Sequence, residues 1–169
     1  MIGDAPPNAA PLALDSPRWP ELLQSHGTAE DIPKLIEALT VIEGVRDRAE
    51  LWFGIWATLC PDGRVYSAAF AAVPHLLAIT HPRSLDERVA AMHVAAGVEI
   101  ARHEPGAPAI PDDLVPSYAT AIESLAMLVS QMALVPWDAV NAQILAAALL
   151  AGKRQPALAR AMLAIGTDG

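Results

Sequence analysis

The stretch VPHLLAITHPRSLDERVAAMHVAAG, Val73–Gly97, carries two helical patterns separated by a short break. Apolar residues recur at helical spacing before the break and predict a helix over Tyr66–Thr80. After the proline-containing link, Ser84 and Glu87 form the capping-box pattern S-x-x-E, which marks the start of a second helix extending to about His103. The stretch therefore predicts two helices packed as a pair.

Four evenly spaced prolines predict similar helix pairs along the rest of the chain. Pro33, Pro74, Pro116 and Pro156 are separated by 41, 42 and 40 residues, and a β-branched apolar residue precedes the first three. Even spacing can arise by accident in a chain with 15 prolines. The shared surroundings favour an internal repeat of about 40 residues. Because Pro74 lies in the middle of its predicted helix, we expect that helix to bend there.

The stretch Val73–Gly97 resembles a HEAT repeat, in which a first helix with proline and leucines leads through a short turn into a second helix with small residues. In one departure from that family, Arg88 precedes Val89, whereas the usual order is reversed. The matching positions are Pro74, Leu76, Leu77, Pro82, Asp86, Arg88, Ala91, Ala95 and Gly97. The stretch GRVYSAAFAAVPHL, Gly63–Leu76, together with the preceding helix that holds Leu51 and Trp52, resembles short bacterial HEAT-like proteins, some of which are encoded beside toxin genes as immunity proteins.

The resemblance implies an all-α fold, a right-handed α–α superhelix of about seven or eight antiparallel helices without a sheet. We expect an irregular arm over 1–15 and a single repeat domain over 16–169. The expected repeats lie near 28–60, 66–103 and 113–151, with a terminal half-repeat at 155–165. The predicted helices are 16–25, 28–39, 45–60, 66–80, 84–103, 112–134, 137–151 and 156–165.

The composition is apolar for a soluble protein, at 53% hydrophobic and 18% charged residues. The densest apolar run, Leu51–Cys60, is half the length that a bilayer-spanning helix needs. We therefore expect buried helices and no membrane partner. Because the helix predicted over 45–60 is apolar almost all round after Glu50, where Phe53 widens its apolar stripe, we expect this helix to be central in the domain. A single cysteine, Cys60, excludes an internal disulfide framework, and no secretory signal pattern opens the sequence, so we expect a cytoplasmic protein.

The chain is acidic, with a net charge of −8 and a pI near 4.9. An acidic surface disfavours binding to the phosphate backbone of nucleic acids. Residues 1–50 hold nine acidic residues against four lysines and arginines. We therefore expect no nucleic-acid partner, and we expect any protein partner to be basic.

No motif in the chain specifies a reaction. Glu99 and His103 are four residues apart on a predicted helix that also holds His93, a spacing that a metal site could use. Without an HExxH or CxxC pattern, ordinary capping or surface histidines are the simpler interpretation. Cys60 ends an apolar helix and is interpreted as a small buried hydrophobe. We expect no catalytic residue, no cofactor and no metal.

The second helices of such repeats line the concave surface, which is the usual binding face. Trp52 and Trp56 lie one turn apart and form either core or an aromatic binding shelf. The polar candidates for binding, which could equally form an ordinary solvated face, are Asp47, Glu50, Asp86, His93, Asp138 and Asn141.

The sequence thus favours a non-enzymatic protein-binding module, in an immunity-like form directed at a basic partner. The alternative is a small enzyme or ligand-binding protein whose site lies between helices and uses His93, Glu99 and Trp52. A third possibility is a structural role in self-assembly.

Overall fold

The structure, a computed structural model, describes residues 9–79 and 84–166. Parts of three predicted segments lie outside the described residues: 1–8 of the arm, the link at 80–83, and 167–169 at the end of the domain. Within the described residues the fold is built of helices, which confirms the all-α prediction. The helices are α1 (Ile32–Val41), α2 (Val45–Leu59), α3 (Ser67–Ile79), α4 (Leu85–Ala101), α5 (Val115–Ser130), α6 (Ala139–Gly152) and α7 (Pro156–Ala164).

The prediction that the fold contains no sheet is wrong in one place. Strands β1 (Leu23–Gln24) and β2 (Gly27–Thr28) form a small antiparallel hairpin, where a helix over 16–25 was predicted. Only a short 3₁₀ turn, Trp19–Glu21, is helical in this segment. The chain reverses at Ser25 and His26, and Gly27 directly after them has a φ of +136°, a backbone conformation that side-chain-bearing residues rarely adopt.

Contacts with distant parts of the chain hold this hairpin in place. The backbone N–H of Leu23 donates to the Ser67 hydroxyl at 2.8 Å, and the Gln24 side chain donates to Asp31 at 3.0 Å. Thr28 belongs to β2, so the helix predicted over 28–39 begins only at Ile32. Tertiary hydrogen bonds therefore override the local helix pattern here.

The helices contact one another in an alternating order. Helices α1, α3 and α5 pack in succession, α2, α4 and α6 do the same, and each odd-numbered helix contacts the next even-numbered one. Arg48 at the start of α2 pairs with Glu87 at the start of α4, and Trp56 near the end of α2 stacks on His93 further along α4. Helices α2 and α4 therefore run in the same direction.

The centre of the fold is α3, where every residue from Ala68 to Pro74 is buried. The small alanine side chains of this segment let neighbouring helices approach it from several sides. The sequence predicts instead that α2 is central, and this is wrong. On α2, Val45 is 86% exposed and Phe53 is 73% exposed. An apolar helix surface is thus left uncovered on α2.

The four regularly spaced prolines fall in alternate helices. Pro33 and Pro116 lie at the second positions of α1 and α5, and Pro156 begins α7, so none of them interrupts a helical hydrogen bond. Pro74 lies inside α3, as predicted, and the helix continues past it to Ile79. The bend expected at Pro74 stays a prediction.

Candidate functional site

Two adjoining cavities lie between α2 and α4. The first, of about 710 Å³, is lined by residues from the N-terminal halves of both helices, including Asp86 and Trp52. The second, of about 340 Å³, is lined by Trp52, Phe53, Trp56, His93 and their apolar neighbours. Trp52 and Ala90 line both cavities, which therefore adjoin at these two residues. We call the two adjoining cavities the α2–α4 groove.

Helical spacing on the two helices builds the groove. On α2, Val45, Ala49 and Trp52 lie on one stripe and face the first cavity. On α4, Asp86 and Ala90 are four residues apart and occupy the same side. The small side chains of Ala49 and Ala90 leave the space open. Since the helices are parallel, their acidic first turns lie at one end of the groove and the aromatic residues lie at the other.

A buried ion pair lines the wider cavity. Arg48, which is 9% exposed, donates to the Glu87 carboxylate and also to the carbonyl oxygen of Ile42. Buried pairs of this kind add little net stability, because desolvation offsets the attraction, but each partner needs the other. The pair therefore fixes α2 against α4 and leaves neither charge free for a ligand.

The acidic end of the groove carries more carboxylates than basic groups. Glu43 and Asp86 line the cavity, and Asp47 is exposed nearby in the first turn of α2. Exposed Glu50 lies 3.4 Å from Arg46 in an ion pair that solvent weakens. First-turn carboxylates such as Asp47 and Asp86 also stabilise their own helices through the helix dipole. Asp47 and Asp86 therefore stabilise the starts of their helices and also make this end of the groove negative.

The aromatic end is well packed on one side. The Trp56 ring lies 4.6 Å from the His93 ring, between centroids, at an interplanar angle of 31°. Gly97 allows this approach, because a Cβ at that position would lie 2.6 Å from Trp56 Cη2. Burial lowers the pKa of His93, which favours a neutral imidazole against the indole.

Trp52 differs from the other aromatic residues of the groove. It is 8% exposed, and its indole nitrogen is buried without a hydrogen-bond partner among the described residues. A buried donor without an acceptor costs about 1–3 kcal/mol. Burial of the Trp52 ring therefore stabilises the fold, while its N–H group without an acceptor lowers that gain.

The predicted binding residues do not all lie together. Asp86 and His93 line the groove, whereas Asp47 and Glu50 are exposed on α2 and do not line either cavity. Asp138 caps α6, with its Oδ1 accepting from the backbone N–H of Asn141 at 2.7 Å. Neither Asp138 nor Asn141 lines the groove, so the structure gives them a local role in starting a helix.

Other residues of the groove were missed by the sequence analysis. Three residues that line the groove are absent from the predicted binding residues: Phe53, Arg48 and Glu43. The repeat itself could have identified the Arg48–Glu87 pair, since these residues are 39 residues apart, close to the spacing of the prolines. The exposure of Phe53 has no comparable indicator in the sequence.

A second polar cluster surrounds Glu99, which is 1% exposed on α4. Its carboxylate accepts from Arg102 at 2.6 and 2.7 Å, from the Tyr118 hydroxyl at 2.9 Å, and contacts His103 at 3.3 Å. Burial and the nearby Glu99 carboxylate raise the pKa of Tyr118 well above its ordinary value. Because Glu99 is fully partnered, the cluster is suited to holding α4 against α5.

The ligand site suggested by the sequence is therefore divided. His93 and Trp52 share the groove, while Glu99 and His103 meet in the second cluster beside a separate cavity of about 360 Å³. Among the described residues, no group of three or more histidine, cysteine or acidic side chains could hold a metal ion. Cys60 is buried, and burial raises its pKa to about 11, which keeps the thiol protonated.

No protein-family model, curated protein or solved structure matches this chain. Across 9–79 and 84–166, no helix combines the length and hydropathy needed to cross a membrane.

Proposed function

We propose that the chain is a non-enzymatic protein-binding module with a HEAT-like superhelical arrangement, and that its α2–α4 groove takes a basic segment of a protein partner. The observation that carries this proposal is the groove itself, which has an acidic end and an aromatic end on two parallel helices.

The packing order of the helices supports the superhelical arrangement. In a helical-repeat stack, first helices contact first helices and second helices contact second helices. The succession α1, α3, α5 and the succession α2, α4, α6 follow this order. The groove then lies between the second helices of adjacent repeats, where such proteins usually bind their partners.

The length of the groove suits a short peptide segment. From Val45 to Trp56, α2 rises about 16 Å, at about 1.5 Å per residue. An extended peptide covers that distance with about five residues, at about 3.3 Å each. The groove can therefore hold several side chains of one segment at once, which favours a protein partner.

The charge of the groove favours a basic segment. Glu43, Asp86 and the exposed Asp47 surround the acidic end, and Arg48 is neutralised by its buried partner. An acidic rim attracts positive ligands and speeds their association, and the effect weakens with salt beyond about 8 Å at physiological ionic strength. In the immunity-like form of the proposal, the basic partner is a toxin in the cytoplasm.

One observation favours the alternative of a small-molecule site between helices. The cavity at Trp56 and His93 measures about 340 Å³, within the range of about 300–1,000 Å³ in which small ligands bind. In that case an isolated small ligand would occupy the aromatic end, and the acidic end would add nothing to its affinity.

Peptide binding tests the proposal. The probes are three capped, fluorescently labelled hexapeptides in which leucine alternates with arginine, glutamine or glutamate. Fluorescence anisotropy should show binding in the order arginine, glutamine, glutamate. The affinity of the arginine peptide should fall as salt is raised.

Two matched double variants identify the acids involved. Glu43→Gln with Asp86→Asn should weaken the arginine peptide about threefold to tenfold, as expected for two partly exposed charges. Glu30→Gln with Glu37→Gln removes the same charge from exposed positions that do not line the groove and should leave the affinity unchanged. Equal affinities in the two double variants would contradict the proposal.

A further inference from the structure

We infer that the aromatic end of the α2–α4 groove is a pocket for a cationic side chain, an arginine or lysine of the partner segment, held against the rings of Phe53 and Trp56. This inference rests on the proposed function and specifies how the groove recognises its ligand.

The aromatic rings of the pocket are arranged to receive a cation. Phe53 and Trp56 lie one turn apart on α2 and line the same cavity, together with Trp52. Trp56 is held on one side by the His93 ring and by its close approach to Gly97. A positive group near the face of a tryptophan or phenylalanine ring is attracted to the ring's negative quadrupole, and tryptophan is the strongest of these partners.

The shape of the pocket suits a long side chain with a charged end. Its inner wall contains Trp52, Ala90 and Val94, which are apolar, whereas Phe53 at its mouth is 73% exposed. A lysine or arginine side chain has an apolar stem and a charged end that stays close to water. Such a side chain can bury its stem against Ala90 and Val94 while its charge remains near Phe53.

The charge around the pocket favours a cationic ligand. The pocket adjoins the acidic end of the groove at Trp52 and Ala90. An anionic group would meet both the negative ring faces and this acidic surrounding, so the pocket disfavours it.

Indole N–H resonances provide a site-resolved test, because the chain has four tryptophans. Trp52 and Trp56 line the pocket, whereas the indole groups of Trp19 and Trp137 donate to Ala13 and Met132 at 2.9 and 3.0 Å. The probe is the arginine–leucine hexapeptide, added to protein labelled with ¹⁵N at tryptophan. We expect shifts at Trp52 and Trp56, while Trp19 and Trp137 stay unchanged as internal controls.

Replacing the arginines of the probe one at a time by norleucine separates a cationic pocket from an apolar one. At one position, norleucine should abolish the shift at Trp56 and lower the affinity about twofold to fivefold, the size of an exposed cation–π contact. Phe53→Ala should weaken the arginine peptide by a similar factor without affecting that norleucine peptide. Leu134→Ala, at a 99% exposed position that does not line the groove, is the control and should change neither.

The outcomes distinguish this inference from the function on which it rests. If every norleucine peptide binds as tightly as the arginine peptide and still shifts Trp56, the pocket is apolar and the inference is wrong, while the groove remains the binding site. The inference also fails, and the function stands, if the acidic variants weaken binding but Trp56 does not shift. If the arginine peptide shifts neither Trp52 nor Trp56, both the inference and the proposed function are wrong.

Discussion

Gly97→Ala should destabilise the protein, because it places a methyl group against Trp56. A Cβ at Gly97 would lie 2.6 Å from Trp56 Cη2 and 2.9 Å from Cζ3, much closer than carbon atoms normally approach. Alanine is favoured over glycine inside a helix by about 1 kcal/mol. Overpacking costs about 1–3 kcal/mol, and the His93 ring beside Trp56 restricts its retreat. We expect a net loss of about 1 kcal/mol in the free energy of unfolding.

Two further variants isolate the steric cause. Gly54→Ala, in the middle of α2, meets no atom within 4 Å and should stabilise the protein by about 0.5–1 kcal/mol. Trp56→Leu removes the obstructing ring, so in that background Gly97→Ala should change sign and become stabilising. The measurement is urea unfolding followed by helical circular dichroism. If Gly97→Ala alone stabilises the protein as much as Gly54→Ala does, Trp56 does not pack against α4, and the aromatic end of the groove is not formed.

Three further predictions concern the same region. Trp52→Phe removes an unpartnered buried donor and should cost less stability than Trp19→Phe, which loses a hydrogen bond to Ala13 at 2.9 Å. Equal losses in the free energy of chemical unfolding would show that the Trp52 indole has an acceptor. Burial lowers the pKa of His93 below its ordinary value of 6.5, so the unfolded chain binds the proton more readily and the free energy of unfolding should fall as the pH drops below about 6.5. In His93→Phe the free energy of unfolding should depend less on pH over that range, and an unchanged pH dependence would exclude His93 as the cause. Reversing the exposed Asp47 and Glu50 to lysine should slow association with the arginine peptide in stopped-flow measurements and change the melting temperature little; unfolding of the variant would show that these acids are structural.

Helix positions could be predicted from the sequence wherever a local stop or start pattern acts alone. The Ser84 hydroxyl accepts from the backbone N–H of Glu87, as its pattern predicts, and α4 begins at Leu85. Helix α2 begins at Val45, as predicted, and ends at Leu59, one residue before its predicted end. In these segments the capping and turn residues determine the boundary without help from the rest of the fold.

The N-terminal segment could not be predicted in the same way. The Ser16–Pro17 pattern is typical of a helix start, but Leu23 is bound to Ser67 on α3, and the chain turns back at Ser25 and His26. Such hydrogen bonds depend on residues more than forty positions away, which local patterns do not contain. The interpretation of α2 as central failed for a related reason, since apolar content does not reveal which face of a helix will be covered.

The candidate site could be predicted only in part. His93 is predicted by the alternative of a ligand site between helices, Asp86 is predicted by its position on a second helix, and both line the groove. Asp138 and Asn141 were selected by the same reasoning, although their spacing of three residues is also that of a helix cap, which the structure shows. Phe53 was missed because an exposed aromatic residue and a buried one look the same in a sequence.

The central claim, that the α2–α4 groove binds a basic segment, is tested most directly by intermolecular nuclear Overhauser effects. The protein is labelled on its alanine and leucine methyl groups and mixed with the unlabelled arginine–leucine peptide. We predict contacts from the peptide to the methyl groups of Ala49 and Ala90, which line the groove. Contacts confined to Leu134 or Leu149, which are exposed but do not line the groove, would contradict the claim.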